Sequence, residues 1–410
     1  MSLSRDGELS AWDLSNPAAP LHVGMVRLLR GGRGMGFVYA PPWLAAGVAL
    51  SGDMPLRAGL LVPQGQSARL GALDDAMPDR WGERAIRFLD NPQRLADIDF
   101  LYHGGDRRFG NLGFSLNADA YLPHATASLP GLASLDELHD LVERIEAREP
   151  LNAQESLLAA STRSMGGAQP KALASIDGGE WIVKFSRGDY ADRAAIEHAS
   201  LVLAQRAGIV TPPSRLVRGI SGSAVALLRF DRAGQRRLRT LSARTVLLHG
   251  ADPMHGAAGE LSYSAMADFL RLAADPRTLR AQQAELFRRM AFNILIENTD
   301  DHEKNHAFVF EGGHWRLAPA FDVLPQMSNI GPAQQMIVGD FGAEATLENA
   351  LSRGARFSLG KKEATTEWFR VAECIAGWKD VFVACGVSEQ DIDYLVQFIE
   401  APWRVELRAR

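Results

Sequence analysis

Cysteine is nearly absent: Cys374 and Cys385 are the only two in 410 residues. Both lie in apolar, helical-looking stretches. That excludes a disulfide-stapled fold and a cysteine-built metal framework, and reads as reduced thiols in a cytoplasmic protein. Long apolar runs are missing too. The longest, near WLAAGVAL (43–50), is too short to cross a bilayer, and MSLSRDGELS lacks the apolar core of a secretion signal, so no membrane association is expected. Nor is there an excess of positive charge. Lys and Arg total 44 against 49 Asp and Glu, a net charge of −5, which argues against broad capture of nucleic acid by this chain alone. No internal repeat or low-complexity tract is visible. What remains is the composition of a soluble globular protein, 46% hydrophobic and 23% charged, long enough for two or three domains.

The densest chemistry sits in NTDDHEKNHAFVF (298–310), between an apolar helix and a hairpin. Two readings compete there. Asp300 and Asn305 have the D-x-x-x-x-N spacing of a phosphotransferase loop, in which the Asp takes the hydroxyl proton and the Asn holds Mg2+. His302-Glu303-Lys304-Asn305-His306 also spells H-E-x-x-H, the zinc-protease signature, which needs a helix to bring both imidazoles to one face. The helix predicted here lies upstream, in AELFRRMAFNILIEN, where Leu286, Met290 and Ile294 recur at four-residue spacing. After the motif, HAFVFEGGHWRLAP reads as a hairpin. The kinase reading requires a second metal-binding carboxylate returned by that hairpin, and Asp322, following Phe321, is the candidate.

Taken in order, residues 1–115 read as a small β-rich unit with a few helices. VGMVRLL and GMGFVYA flank a Gly-Gly-Arg-Gly turn. A helix is expected from Pro78, with Asp74, Asp75 and Asp79 as capping residues on a solvated face. YHGGDRRFGNLGF reads as a turn between strands, and NADAYLPHATASLP as a linker. The next informative stretch is Ser164-Met-Gly-Gly-Ala-Gln-Pro-Lys171, a small-residue loop leading into a strand, with the turn Asp177-Gly178-Gly179 and the strand EWIVKF after it. Glycines there let the backbone approach a polyphosphate. It is not a Walker A, because G-x-x-x-x-G-K-[ST] is missing and a strand follows. A Gly-rich loop flanked by hairpin strands, with Lys184 on the second, matches a kinase covering ATP. Gly166, Gly167 and Ala168 would line the phosphates. Glu197, on the helix YADRAAIEHASLVLAQRAGI, is placed to meet Lys184, or else lies at a rim. SAVALLRFDR (223–232) fits a hinge whose Leu228 and Phe230 border an adenine, with Arg229 and Asp231 as ion-pair formers. Trp368, Phe369, Trp378 and Phe382 in the helical tail read as core packing.

With SMGGAQPK, WIVKF, LLRFDR, NTDDHEKN and AFDVLP in that order, the chain resembles the HipA family of bacterial serine/threonine kinases. The motifs cover 150–400, and the first 110 residues match more loosely. The resemblance implies an α+β, bilobed protein-kinase-like fold. It would comprise an N-terminal β-rich subdomain (1–120), a kinase N-lobe with Gly-rich loop and hinge (121–232), and an all-helical C-lobe carrying the catalytic loop (233–410). It implies Asp300 as catalytic base, His302 and Lys304 shaping its loop, Asn305 and Asp322 on Mg2+, and Lys184 on ATP. It also implies Ser164 as a regulatory phosphosite, since a dianionic group there would repel a triphosphate. The partners implied are a protein substrate such as an aminoacyl-tRNA synthetase and a small helix-turn-helix antitoxin, with DNA reached only through that antitoxin. The segment 233–262 is longer and richer in Gly and His than in better-known members. From the residues alone a small-molecule kinase, a non-catalytic nucleotide sensor and the zinc protease stay open.

Overall fold

In this computed structural model the chain is described over residues 7–409, except 30–33, 65–68, 93, 125–127, 187–189, 253, 257 and 328–332. The first sheet has the order β3-β2-β1-β4, all antiparallel: β1 (Glu8–Asp13), β2 (Leu21–Leu28), β3 (Met35–Tyr39) and β4 (Leu112–Ser115). Leu9, Ala11, Val23, Val26 and Phe37 are buried in the core beneath it. The expected hairpin is β2–β3; most of its Gly-Gly-Arg-Gly turn lies outside the described residues. The helix expected from Pro78 starts instead at Trp81, after Arg80 at φ 34°. Residues 79–81 are committed elsewhere: the Asp79 carboxylate and the Trp81 N–H both bond to Gly167.

The second sheet has the order β5-β6-β8-β7, from β5 (Lys171–Ile176), β6 (Gly179–Phe185), β7 (Ser214–Arg218) and β8 (Ser223–Leu228). β5 and β6 are joined by Asp177-Gly178, both at positive φ (49° and 77°), the two-residue turn whose twist matches a hairpin. Helix Arg193–Arg206 packs on this sheet and is buried over most of its circumference. Asp192 caps its N-terminus by accepting from the Ala195 N–H at 3.1 Å, and Gly208, at φ 79°, ends the turn after it.

The region from 233 onward is not all-helical. A small hairpin of β9 (Arg232–Ala233) and β10 (Arg236–Arg237) precedes a three-stranded sheet, order β11-β12-β13, made of β11 (Arg239–Ser242), β12 (Ala307–Glu311) and β13 (His314–Leu317). The β12–β13 hairpin was legible from its turn. The short run RTLS of β11 becomes a strand because it pairs with β12, whose partner residues lie 65 to 71 positions further along the chain. Helix Tyr263–Ala273 packs on β13 and on helix Leu279–Leu295, which packs in turn on Lys361–Ala376; Trp378–Ala384 packs on helix Arg193–Arg206 and on Glu389–Ile399. Trp368, Trp378 and Phe382 are buried among them as expected, Phe369 packs partly buried, and Cys374 and Cys385 are free and half-buried.

Residues 107–110, expected as a turn between strands, are an inter-segment joint. The buried Arg229 guanidinium grips Asp231 with two bonds (2.9 and 2.7 Å) and donates to the carbonyls of Arg107 and Arg108 (2.7 and 2.8 Å). Asp231 in turn accepts from the Gly110 N–H at 2.9 Å. Burial works against its charge, yet Arg229 and Arg232 hold its pKa below the usual carboxylate range. Arg229→Met removes two of the bonds to that buried carboxylate and leaves it with Arg232 and the Gly110 N–H. Stability should fall by about 3–5 kcal/mol, read as a lower urea midpoint with an unchanged slope.

Candidate active site

Lys184 points from β6 into the space beneath helix Arg193–Arg206, where Glu197 accepts its ammonium at 2.5 Å and Asp322 pairs with it from the other side. Glu197 is buried, not a rim residue. Burial alone would discharge the lysine, but Asp322 and Glu197 outweigh it and raise its pKa above the ordinary lysine value. Asp322 moves the opposite way. Desolvation opposes its ionisation, but Lys184 and Lys171 hold it below the usual carboxylate range. Its backbone is left-handed at φ 55°, tolerable for Asp and characteristic of sites where geometry is imposed from outside the residue.

Lys171 was missed by the sequence reading, which placed it only at the end of the loop. It faces Lys184 across the β5–β6 ladder and is equally buried, and this desolvation lowers its pKa. Directly opposed like charges repel. Two carboxylates beneath two lysines make the cluster tolerable. The signal available in the sequence was the two-residue turn at Asp177-Gly178, which fixes the register and so predicts the pair.

The 298–306 loop leaves helix Leu279–Leu295 through Glu297, at φ 72°. Asp301 anchors it from below, accepting from the Tyr263 hydroxyl and lying 2.8 Å from His306 Nε2. Asp300 stays above, one carboxylate oxygen accepting from Gln335 at 2.6 Å. The Asn305 side chain spans the loop to the Asp300 carbonyl at 3.3 Å. His302 Nδ1 accepts from the Lys304 N–H at 3.1 Å, and the Lys304 ammonium lies 3.4 Å from Asp74. Residues 302–306 form a turn rather than a helix, and His306 is buried against Asp301 while His302 faces the cleft. The two imidazoles therefore do not share a helix face, and the H-E-x-x-H spelling does not build the zinc-protease arrangement.

The glycine loop follows a helical turn, Ala160–Thr162, and runs into β5; it is not flanked by two strands of a hairpin as expected. Gly167 sits at φ 98°, which favours glycine; a Cβ on it would displace the Lys171 ammonium, 2.5 Å away, and one on Gly166 would displace the Asp79 carboxylate, 2.7 Å away. Ser164 is buried, its hydroxyl donating to the Gly104 carbonyl at 2.8 Å. At the end of β8, the Leu228 N–H is taken by the Pro213 carbonyl and the Arg229 N–H by that of Glu180, each at 3.0 Å. A flat ring would meet aromatic faces there. Phe230 stacks on Phe321 with centroids 5.5 Å apart and meets Phe109 edge-on at 5.9 Å. Phe109, from the amino-terminal region, is a second residue the sequence reading missed.

One cavity of about 940 Å³ gathers these groups. Its walls include Ser164, Gly166, Gly167, Ala168, Lys184, Leu228, Phe230, Asp300, His302, Lys304, Asn305 and Asp322, every site residue singled out from the sequence. Asp74, Asp75 and Asp79, expected as a solvated face, also line it. Asp75 is half-buried and accepts the Ser242 hydroxyl and N–H at 2.5 and 2.8 Å. Burial outweighs those bonds and pushes its pKa up to about 6. Oxygen donors from Asn305 and Asp322 suit a hard cation such as Mg2+, and the two lysines suit phosphate.

The chain belongs to the HipA family: residues 163–378 match the HipA-like C-terminal domain, more than half of the sequence, and residues 19–115 match the HipA N-terminal domain. Among solved structures it is similar to HipA in the Shewanella oneidensis toxin–antitoxin complex of HipA, HipB and operator DNA. The TM-score is 0.68 and the identity 17%, covering 98% of this chain and 96% of that one, a likeness of fold. A Haemophilus influenzae protein named "Putative kinase" is 28% identical over 185 residues, 39% of this chain and 52% of its own length. "Putative kinase Y4dM" of Sinorhizobium fredii is 29% identical over 160 residues, 36% of this chain and 37% of its own. The match thus spans about half of the first relative and less of the second.

The raised Asp75 pKa has a stability consequence. The folded state holds this proton up to about pH 6 and the unfolded state only to about 4. Asp75 thus favours the fold below about pH 4, and that contribution is lost as pH rises through about 6. Asp75→Asn should flatten this part of the stability profile, leaving the variant relatively more stable than wild type at pH 8 than at pH 4, as measured by urea unfolding at the two pH values.

Proposed function

We propose that this protein is an ATP- and Mg2+-dependent protein serine/threonine kinase, with the bilobed arrangement of segments 1–120, 121–232 and 233–410. The observation that carries the reading is the buried Lys184, paired with both Glu197 and Asp322 on the wall of a cavity that Asp300 and Asn305 share. Lys184 and Lys171 hold the phosphates, with Gly166, Gly167 and Ala168 allowing close backbone approach. Phe230, Phe321 and Leu228 border the purine. Asp300, held by Gln335, accepts the proton of the attacking hydroxyl. His302 and Lys304 keep that loop in shape. Asn305 and Asp322 are the oxygen ligands for Mg2+, which when bound supplies charge neutralisation on the phosphates.

Ser164 is the proposed regulatory phosphosite. Its hydroxyl is engaged with Gly104 and buried, so modification requires the loop to leave its seat, and a phosphate could not return there without facing Asp79 beside Gly166. By likeness to the Shewanella complex we assign a small helix-turn-helix antitoxin as partner, DNA being reached through it. The substrate class we assign is a protein of translation such as an aminoacyl-tRNA synthetase, acted on in the cytoplasm.

Two outcomes test this. With labelled ATP and Mg2+, wild type should label itself mainly at Ser164, and Asp300→Ala should lose labelling by about 100-fold or more; equal labelling in the variant removes the assigned base. Lys184→Met should abolish binding of a fluorescent ATP analogue, and retention of wild-type affinity would refute the phosphate role.

A further inference from the structure

Away from the cleft, three side chains from separate segments point at one spot. Asp90 follows helix Trp81–Leu89, His103 ends helix Asp97–His103, and His124 follows Pro123, which is bridged to Ser115 at the end of β4. Their ligand atoms all lie within 4.8 Å of one another. His124 Nε2 is 3.3 Å and His103 Nδ1 3.7 Å from the same oxygen, Asp90 Oδ1. Zinc bonds to nitrogen and carboxylate oxygen of about 2.0–2.2 Å at tetrahedral angles put ligand atoms about 3.3–3.5 Å apart. The two measured edges are close to that figure.

The hydrogen bonding points the same way. His103 Nδ1 is buried, and among the described residues nothing donates to or accepts from it. At 3.7 Å its approach to Asp90 is too long for a hydrogen bond. The other carboxylate oxygen, Asp90 Oδ2, lies 3.0 Å from Arg163 Nε, an ion pair that leaves Oδ1 facing the histidines. A ligating carboxylate held on its far oxygen by a neighbouring cation is a common way of orienting a metal ligand.

We propose that Asp90, His103 and His124 form a Zn2+-type site, with an open fourth position for water, that fastens the amino-terminal region to the base of the glycine loop. The coupling is covalently short. Arg163 precedes Ser164, and Gly104, which accepts the Ser164 hydroxyl, follows His103. A bound ion therefore fixes both partners of the Ser164 seat at once. This inference does not rest on the kinase reading, since it concerns metal held outside the cleft.

The test is zinc content after Zn2+ loading in excess Mg2+ and gel filtration of the full chain. Wild type, Asp322→Asn and His302→Ala should each retain one Zn2+ per chain, and its thermal midpoint should rise on loading. His103→Ala and His124→Ala should lose the ion, and Arg163→Gln should bind about 10-fold more weakly. Co2+-loaded wild type should show the visible absorption of a tetrahedral ion, a reading that needs no variant to fold. Wild type without retained zinc and without that absorption overturns the site. So does zinc lost in His302→Ala but kept in both His103→Ala and His124→Ala.

Discussion

A lysine taken out of water must be met by negative charge, and much of this fold exists to meet Lys184. The strand that carries it, the helix that carries Glu197 and the loop that brings Asp322 back are distant in sequence and converge on one ammonium. Removing either carboxylate would leave a buried, partly uncompensated charge. Such an arrangement contributes less to net stability than to fixing one geometry. Lys171, opposite on the same hairpin, doubles the positive charge facing the cavity and makes the carboxylates indispensable.

The amino-terminal region is part of the site rather than an appendage. Asp79 and Trp81 hold Gly167, Gly104 holds Ser164, and Phe109 reaches the aromatic wall at Phe230. The Arg229–Asp231 pair locks residues 107–110 against the segment that follows β8. Any motion of the glycine loop must therefore break bonds to that region, which makes the region a natural place for control of access to the cavity.

How much could be read in advance differs by element. Helix Arg193–Arg206, the Asp177-Gly178 turn and the β12–β13 hairpin follow from local patterns: an Asp cap, a Gly stop, two positive-φ residues, Gly-Gly. β11 did not, because RTLS is strand only through its pairing with β12. The cleft-lining role of Asp74, Asp75 and Asp79 was hidden too, since a cluster of acids near a helix start is usually a solvated cap. Here Lys304, Ser242 and Gly167 cover them, each from a different part of the chain.

The sequence by itself determined the chemical inventory and its order: a glycine loop, a strand lysine, then an aspartate, an asparagine and a second aspartate, in motifs short enough for local spacing to carry them. Tertiary structure alone decided which of two overlapping spellings at 302–306 is realised, because a helix ending at Leu295 leaves His306 facing Asp301 and His302 facing the cleft. It also decided that Lys171 stands beside Lys184 and that His103 and His124 flank Asp90. Burial and convergence depend on what packs from elsewhere, and no window of neighbouring residues contains that information.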